Sequence, residues 1–301
     1  MIGCGLLTMF GQRKQPSAGA RPTTPAEAPA AASQPQPRQC TPPKPSSEWP
    51  PERIDVNDTL WGAGYIFPGG ELETLRLAKA MQLSGETSVL LLGAGSGGAG
   101  CVLSIKFGSW VAGMEADADL AVAATERAMK ANMSRRVQTE AWNPAQPEFK
   151  KRFYNHCIAI EPLRGARPEP MLTALGDGLK AGGHLAMLEL VADTPLDPSD
   201  PLVGKWAKLE HRSAGGLPTE LSITRVLGRL GFDVRIAEDN TERHMHDALI
   251  GWRRTLREIE AKKHSLRQIA QFVNEAELWL LRLRLMEKQK LRLVRWHAIG
   301  R

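Results

Sequence analysis

The stretch from Ser88 to Gly100, SVLLLGAGSGGAG, is an apolar run followed by five glycines in eight residues. A short apolar run ended by a glycine cluster reads as a strand buried on both faces. The glycines allow a tight turn and close backbone approach, and GGAGCVLSIKF continues the chain as a helix. Strand, glycine turn and helix in that order open a βαβ unit, which restricts the chain to an α/β architecture.

The alternation extends on both sides. ELETLRLAKAMQL (Glu71 to Leu83) has helical spacing; after the glycine turn come WVAGMEA as a strand and DADLAVAATERAMKAN as a helix. Strands are expected at RVQTEAW, NHCIAIEPL, HLAMLELVA and FDVRIAE, with helices at PMLTALGDGL and LPTELSITRVLGRLG. Alternation of this kind predicts a doubly wound, mostly parallel sheet. Two long basic amphipathic helices, at about 242–289, then precede a lone strand at LRLVRWHAIG. In LKAGGHL, Gly182 and Gly183 are expected to reverse a helix end into the next strand, since glycine tolerates positive φ.

Residues 1–51 are rich in Pro, Ala, Ser, Thr and Gln and are expected to form a disordered tail, leaving 52–301 as the folded domain. The opening MIGCGLLTMFGQRKQ lacks the basic start and cleavage site of a signal peptide, and no run reaches the length of a spanning helix. Cys4, Cys40, Cys101 and Cys157 are scattered without metal-ligand or disulfide-framework spacing, so a reducing cytoplasm is the expected setting. The net charge of +6 is concentrated at the C-terminal end, where Trp252 to Arg301 holds thirteen Lys or Arg against five Glu. A solvated helical face is the plainest reading of that excess. A surface for acidic lipid head groups or a phosphorylated substrate competes with it. Nucleic acid is least favoured, because aromatic residues are not interleaved with the basic ones. Oligomeric state is not legible.

Gly93, Gly95 and Gly98 fit GxGxxG, and Glu115 follows at the end of the next strand. That spacing alone suits NAD and S-adenosylmethionine about equally, since both want a tight glycine turn and a carboxylate for ribose hydroxyls. Taken together, VLLLGAGSGG, GMEADADLAVAATERA, IAIEPL and LKAGGHLAMLE resemble the class I S-adenosylmethionine-dependent methyltransferases in order and spacing, over roughly Trp61 to Gly300. WGAGYIFPGGELETLRLAKAM is similar, less specifically, to the lead-in of the branch that includes phosphoethanolamine methyltransferases. The resemblance implies a seven-stranded sheet whose last strand, Leu291 to Ile299, inserts antiparallel between the fifth and sixth.

It also implies a cofactor pocket. Backbone of Gly93, Ala94, Gly95 and Gly97 would lie against the methionine part, Glu115 would accept the ribose hydroxyls, Met114 or Ala116 would flank the adenine face, and Asn143, next to Trp142 in the same cofactor-binding set, would accept from the adenine amino group. Leu91, Asn143 and Asn155 stand where the family usually has carboxylates. For chemistry, Glu161 at the rim is the expected base, and Tyr65 is placed to donate to the cofactor or orient a substrate, with packing as the competing reading. His156, near a strand start, reads as structural, whereas Glu189, Asp193 and Asp239 end later strands and are weaker substrate-side candidates. His244, His246 and Asp247 do not share a helix face suited to a metal, and Trp279 with Leu280, Leu281 and Leu283 reads as core or a partner-helix stripe. The implied activity is methyl transfer from S-adenosylmethionine to a small molecule or lipid head group. The alternative is a non-catalytic scaffold working through the basic helices.

Overall fold

The computed structural model describes residues 48–261 and 263–301. The tail assigned to 1–51 lies outside the described residues except at its end, and there the expectation fails. Trp49 is 5% exposed with the Arg53 guanidinium 4.1 Å over its ring, and helix α1 (Pro51–Trp61) begins two residues later. The folded part therefore includes Trp49.

Helix α2 (Gly70–Ala78) follows the lead-in, and then strand and helix alternate as expected: β1 (Ser88–Leu92), α3 (Gly98–Phe107), β2 (Trp110–Glu115), α4 (Ala118–Lys130) and β3 (Val137–Ala141). After β3 the chain reaches β4 (Tyr154–Ile160) without a helix. Then come α5 (Pro168–Gly178), β5 (Leu179–Val191), α6 (Pro201–Leu209), α7 (Glu220–Arg229), β6 (Asp233–Asp239), α8 (Thr241–Ala261), α9 (Leu266–Glu287) and β7 (Arg292–Ile299). The strands form one seven-stranded sheet in the order β3-β2-β1-β4-β5-β7-β6. β7 runs antiparallel to both β5 and β6, and the pairs from β3 through β5 are parallel.

The period-2 alternation of β1 explains why its sequence is apolar throughout. Val89 and Leu91 face the layer built from α2, α3 and the C-terminal helices, while Leu90 and Leu92 face the layer of α5 and α7. Both faces are dry, so no polar residue is tolerated at either set of positions.

Gly182 and Gly183 do not cap a helix. α5 has already ended at Gly178, and Leu179 is extended. Gly182, at φ +73°, donates its N–H to the Gly300 carbonyl at 2.9 Å, and the Gly300 N–H returns to Gly183 at 2.8 Å. A Cβ on Gly183 would stand 2.8 Å from the Asn155 carbonyl. The glycines thus let the start of β5 squeeze between β4 and the end of β7, a sheet role that local spacing could not separate from a helix stop.

Candidate cofactor and acceptor site

The carboxyl ends of β1, β2 and β4 meet under the lead-in, where a cavity of about 900 Å3, its open mouth included, has formed. Gly93, where the glycine turn begins, is part of its lining. Gly93 (φ +69°) donates to the Met114 carbonyl at 3.1 Å, and a Cβ there would meet the Ile160 carbonyl at 2.4 Å. Only glycine fits so close to the end of β4.

The lead-in is fastened directly onto this turn. The Gly98 N–H donates to the Gly64 carbonyl at 2.9 Å, and Asp58 accepts from the Gly64 N–H at 2.7 Å. Arg127 of α4 ties the layers together by donating to Asp58 at 2.6 Å and to the Ser96 carbonyl at 2.8 Å. Gly64 sits at φ +91°, and a Cβ on it would lie 2.3 Å from the Gly98 nitrogen. Gly64→Ala is therefore expected to cost about 1–3 kcal/mol and to lift the lead-in from the turn. Calorimetry should show a melting temperature lower by several degrees; an unchanged value would mean that the lead-in does not depend on this contact.

Glu115 closes β2 and is 6% exposed at the cavity wall. Its carboxylate accepts from the Gly95 N–H at 2.7 Å and the Ala116 N–H at 2.8 Å. Burial nonetheless dominates and pushes its pKa up to about 7. The Asp117 N–H adds a longer bond at 3.4 Å, and a carboxylate has about four lone-pair positions, so beyond these three donors it can also accept from a diol entering the cavity. Ala116, Trp142 and Pro144 continue the same wall.

Several expected site residues stand elsewhere. Met114 points to the opposite face of the sheet, where it packs with the Leu90 and Leu92 layer. Asn143 is exposed and turns its side-chain oxygen back onto the Ala145 N–H at 3.0 Å, a local turn that Pro144 completes. A Cβ on Gly97 would run into Ala124 at 2.8 Å, so that glycine serves the approach of α4 to the turn. Ala94 is packed into the core. Tyr65 lies edge-on to Phe67, 5.9 Å between centroids, with burial raising its pKa; Ile66 and Phe67 line the cavity in its place. Leu91 is fully buried toward α3, so an acid at that position would enter the core and not the site. Asn155 accepts from the Ser88 N–H and hydroxyl at the foot of the sheet, and His156 packs beside His184 there.

Glu161 does line the cavity, but it is not free to act as a base. Its carboxylate is clasped by Arg212 and by Arg282 of α9, and Glu210 pairs with both arginines at 3.1 and 3.3 Å. Burial alone would raise the Glu161 pKa; the two guanidinium groups outweigh it and hold the carboxyl well below the usual range. Its backbone is also left-handed, at φ +47°, a conformation that non-glycine residues hold only when the surroundings fix it. Glu189 belongs to the same cluster, accepting from the Leu163 and Leu190 N–H groups beside Arg212. Asp193 and Asp239 are taken by Arg292. Asp247 pairs with Arg76, and His244 is buried against Trp279.

The remaining wall comes from residues that sequence reasoning missed. Arg53 and Asn57 of α1 face Glu275, Leu278 and Trp279 of α9, and Arg53 pairs with Glu275 at 2.6 Å. Trp279 is a cavity residue as well as a core one, with Arg282 stacked 5.1 Å over its ring. The only signal available beforehand was the apolar stripe around Trp279, which gave no hint of its partner some two hundred residues earlier.

No family model matches the chain, and no curated protein matches it in sequence. Among solved structures it is similar to phosphoethanolamine N-methyltransferase 2 of Haemonchus contortus, solved with phosphomonomethylethanolamine and S-adenosylhomocysteine, at TM-score 0.69 and 18% identity over 82% of this chain and 56% of that one. It is also similar to the geranyl diphosphate C-methyltransferase of Streptomyces coelicolor A3(2), at TM-score 0.59 and 14% identity over 76% of this chain and 80% of that one. The chain has the class I methyltransferase fold. It spans just over half the length of the Haemonchus enzyme. The cyclase SpnF is a further neighbour, at TM-score 0.62 and 15% identity over 82% of this chain and 93% of that one. A class I methyltransferase fold thus does not by itself specify methyl transfer.

Proposed function

We propose that the protein is an S-adenosylmethionine-dependent methyltransferase acting on a small molecule or lipid head group in the cytoplasm. The observation that carries this reading is Glu115, a buried carboxylate bonded to the glycine turn and facing the cavity at the sheet's carboxyl edge. The residues fit such a cofactor: Gly93 admits backbone-close approach, Glu115 can receive the ribose hydroxyls, and Ala116, Trp142 and Pro144 offer a flat apolar wall for the adenine. When bound, the cofactor supplies an electrophilic methyl group on a sulfonium.

The chain's own part is orientation and exclusion of water. Phe67 and Trp279 give the cavity apolar walls, and Arg53, Glu275 and Arg282 give it polar ones. With Glu161 locked in ion pairs, proton removal is not its task, and the acceptor must present a nucleophile that needs no strong base. Glu161 instead positions α9 against β4.

Calorimetric titration with S-adenosylmethionine and S-adenosylhomocysteine tests the proposal. Micromolar affinity for both is expected, and absence of binding to either overturns it. One observation favours a second reading, a non-catalytic scaffold: among the described cavity residues, Glu161, Glu210 and Glu275 are all held by arginines. Cofactor binding without turnover of any offered acceptor would favour that reading.

A further inference from the structure

The helices α8 and α9 are apolar on two sides. Inward, they bury Ala248 and Thr255, and Phe272, Leu278 and Leu285. Outward, α8 presents Leu249, Ile250 and Leu256, the last 57% exposed, and α9 presents Leu266, Ile269 and Val273, with Leu266 86% exposed. Leu249 and Leu256 lie two turns apart, and Leu266, Ile269 and Val273 follow i, i+3, i+7 spacing, so each set forms a stripe along its helix.

Cations accompany both stripes. Arg253, Arg257, Lys263 and Arg267 are exposed; Arg267 pairs with Glu52 of α1 at 3.7 Å, whereas neither Arg253 nor Arg257 is in an ion pair among the described residues. Between Leu249 and Val273 the sequence holds six Lys or Arg and two Glu. Two copies of this surface would bring like charges face to face, which disfavours self-association. Among the described residues no helix is long and apolar enough to cross a membrane. An amphipathic surface of exposed leucines set among arginines suits a layer that is anionic outside and apolar beneath.

We propose that the α8–α9 helix pair docks the protein on an anionic lipid surface. The inference goes beyond methyl transfer and does not require it. It also gives the cavity a location, because the helix that carries Leu266 and Val273 outward brings Trp279 and Arg282 into the cavity wall.

The test is flotation of the whole protein with vesicles of phosphatidylcholine alone and of phosphatidylcholine mixed with phosphatidylserine. Binding is expected only to the mixed vesicles and should weaken as salt is raised. Leu256→Glu, Val273→Glu and the pair Arg253→Glu with Arg257→Glu alter exposed side chains. At least one apolar variant and the arginine pair should cut binding by at least about tenfold, with melting temperature and S-adenosylhomocysteine affinity unchanged. Equal binding to neutral vesicles, binding that survives every variant, or no binding at all overturns the proposal. So does a concentration-dependent dimer in light scattering that the same variants abolish, since the stripes would then serve a second copy. Failure of the methyltransferase reading appears separately, as lost nucleoside binding with vesicle binding intact.

Discussion

Replacing Arg282 with methionine is expected to lower the melting temperature by roughly 6–20 °C. The guanidinium reaches both Glu161 and Glu210 with 7% of its side chain exposed, so its removal leaves the buried Glu210 and the half-buried Glu161 short of a counter-charge. Breaking a buried pair in this way costs about 3–5 kcal/mol, and in a domain of this size each kcal/mol moves the midpoint by roughly 2–4 °C. The sign of the pH dependence follows from Glu161, whose folded pKa is depressed. Its pairing stabilises the fold above the ordinary carboxylate value of 4.5, and that contribution is lost as pH falls toward the folded value. The gap between wild type and variant should therefore narrow in acid. Glu161→Gln combined with Arg282→Met should recover much of the loss. Strict additivity of the two single effects would show that the pair is not coupled.

Glu115→Gln is expected to weaken cofactor binding by roughly ten to a hundredfold, the worth of one charge-assisted acceptor in a buried site. The pH profile makes the assignment specific. Because burial holds the Glu115 pKa at about 7, the ionised acceptor is only partly present at neutral pH. Affinity for adenosine, which keeps the ribose diol and has no group titrating nearby, should rise between pH 6 and pH 8 and approach a tenfold change per unit on the acid side. The glutamine variant should bind weakly and without that slope. A wild-type profile that is already flat would mean that the diol does not rest on Glu115. For folding the sign is opposite: a raised carboxyl pKa favours the fold below 4.5 and loses that contribution as pH climbs through about 7, so the variant should gain stability at alkaline pH.

These two residues also mark the boundary of what the sequence makes legible. Glu115 can be found from spacing because the glycine turn and the end of the next strand are neighbours in any sheet of this kind, and a twenty-residue interval fixes their meeting. The insertion of β7 between β5 and β6 has no such local signal: it is implied by the resemblance to class I methyltransferases, and the observed strand order agrees with it. Arg282 cannot be found this way. It lies 121 residues from Glu161, on a helix whose pattern announces only an apolar face. Met114 and Asn143 show the complementary failure: each has the right position in the chain, but one faces the wrong side of a pleat and the other is drawn into its own turn. Trp49 was obscured by composition, since the proline-rich context around it hides a single anchoring ring.

The placement of β7 also sets an order of events during synthesis. Among the described residues β6 bonds to the sheet through β7 alone, and β7 leaves the ribosome after the other six strands. Until residues 292–299 emerge, β5 offers an open edge and β6 has no seat, while the α9 wall of the cavity, made just before, has no finished sheet to rest on. Binding competence should therefore wait for β7 and then arrive abruptly, leaving the nascent chain dependent on whatever shields an unpaired β5 in the interval.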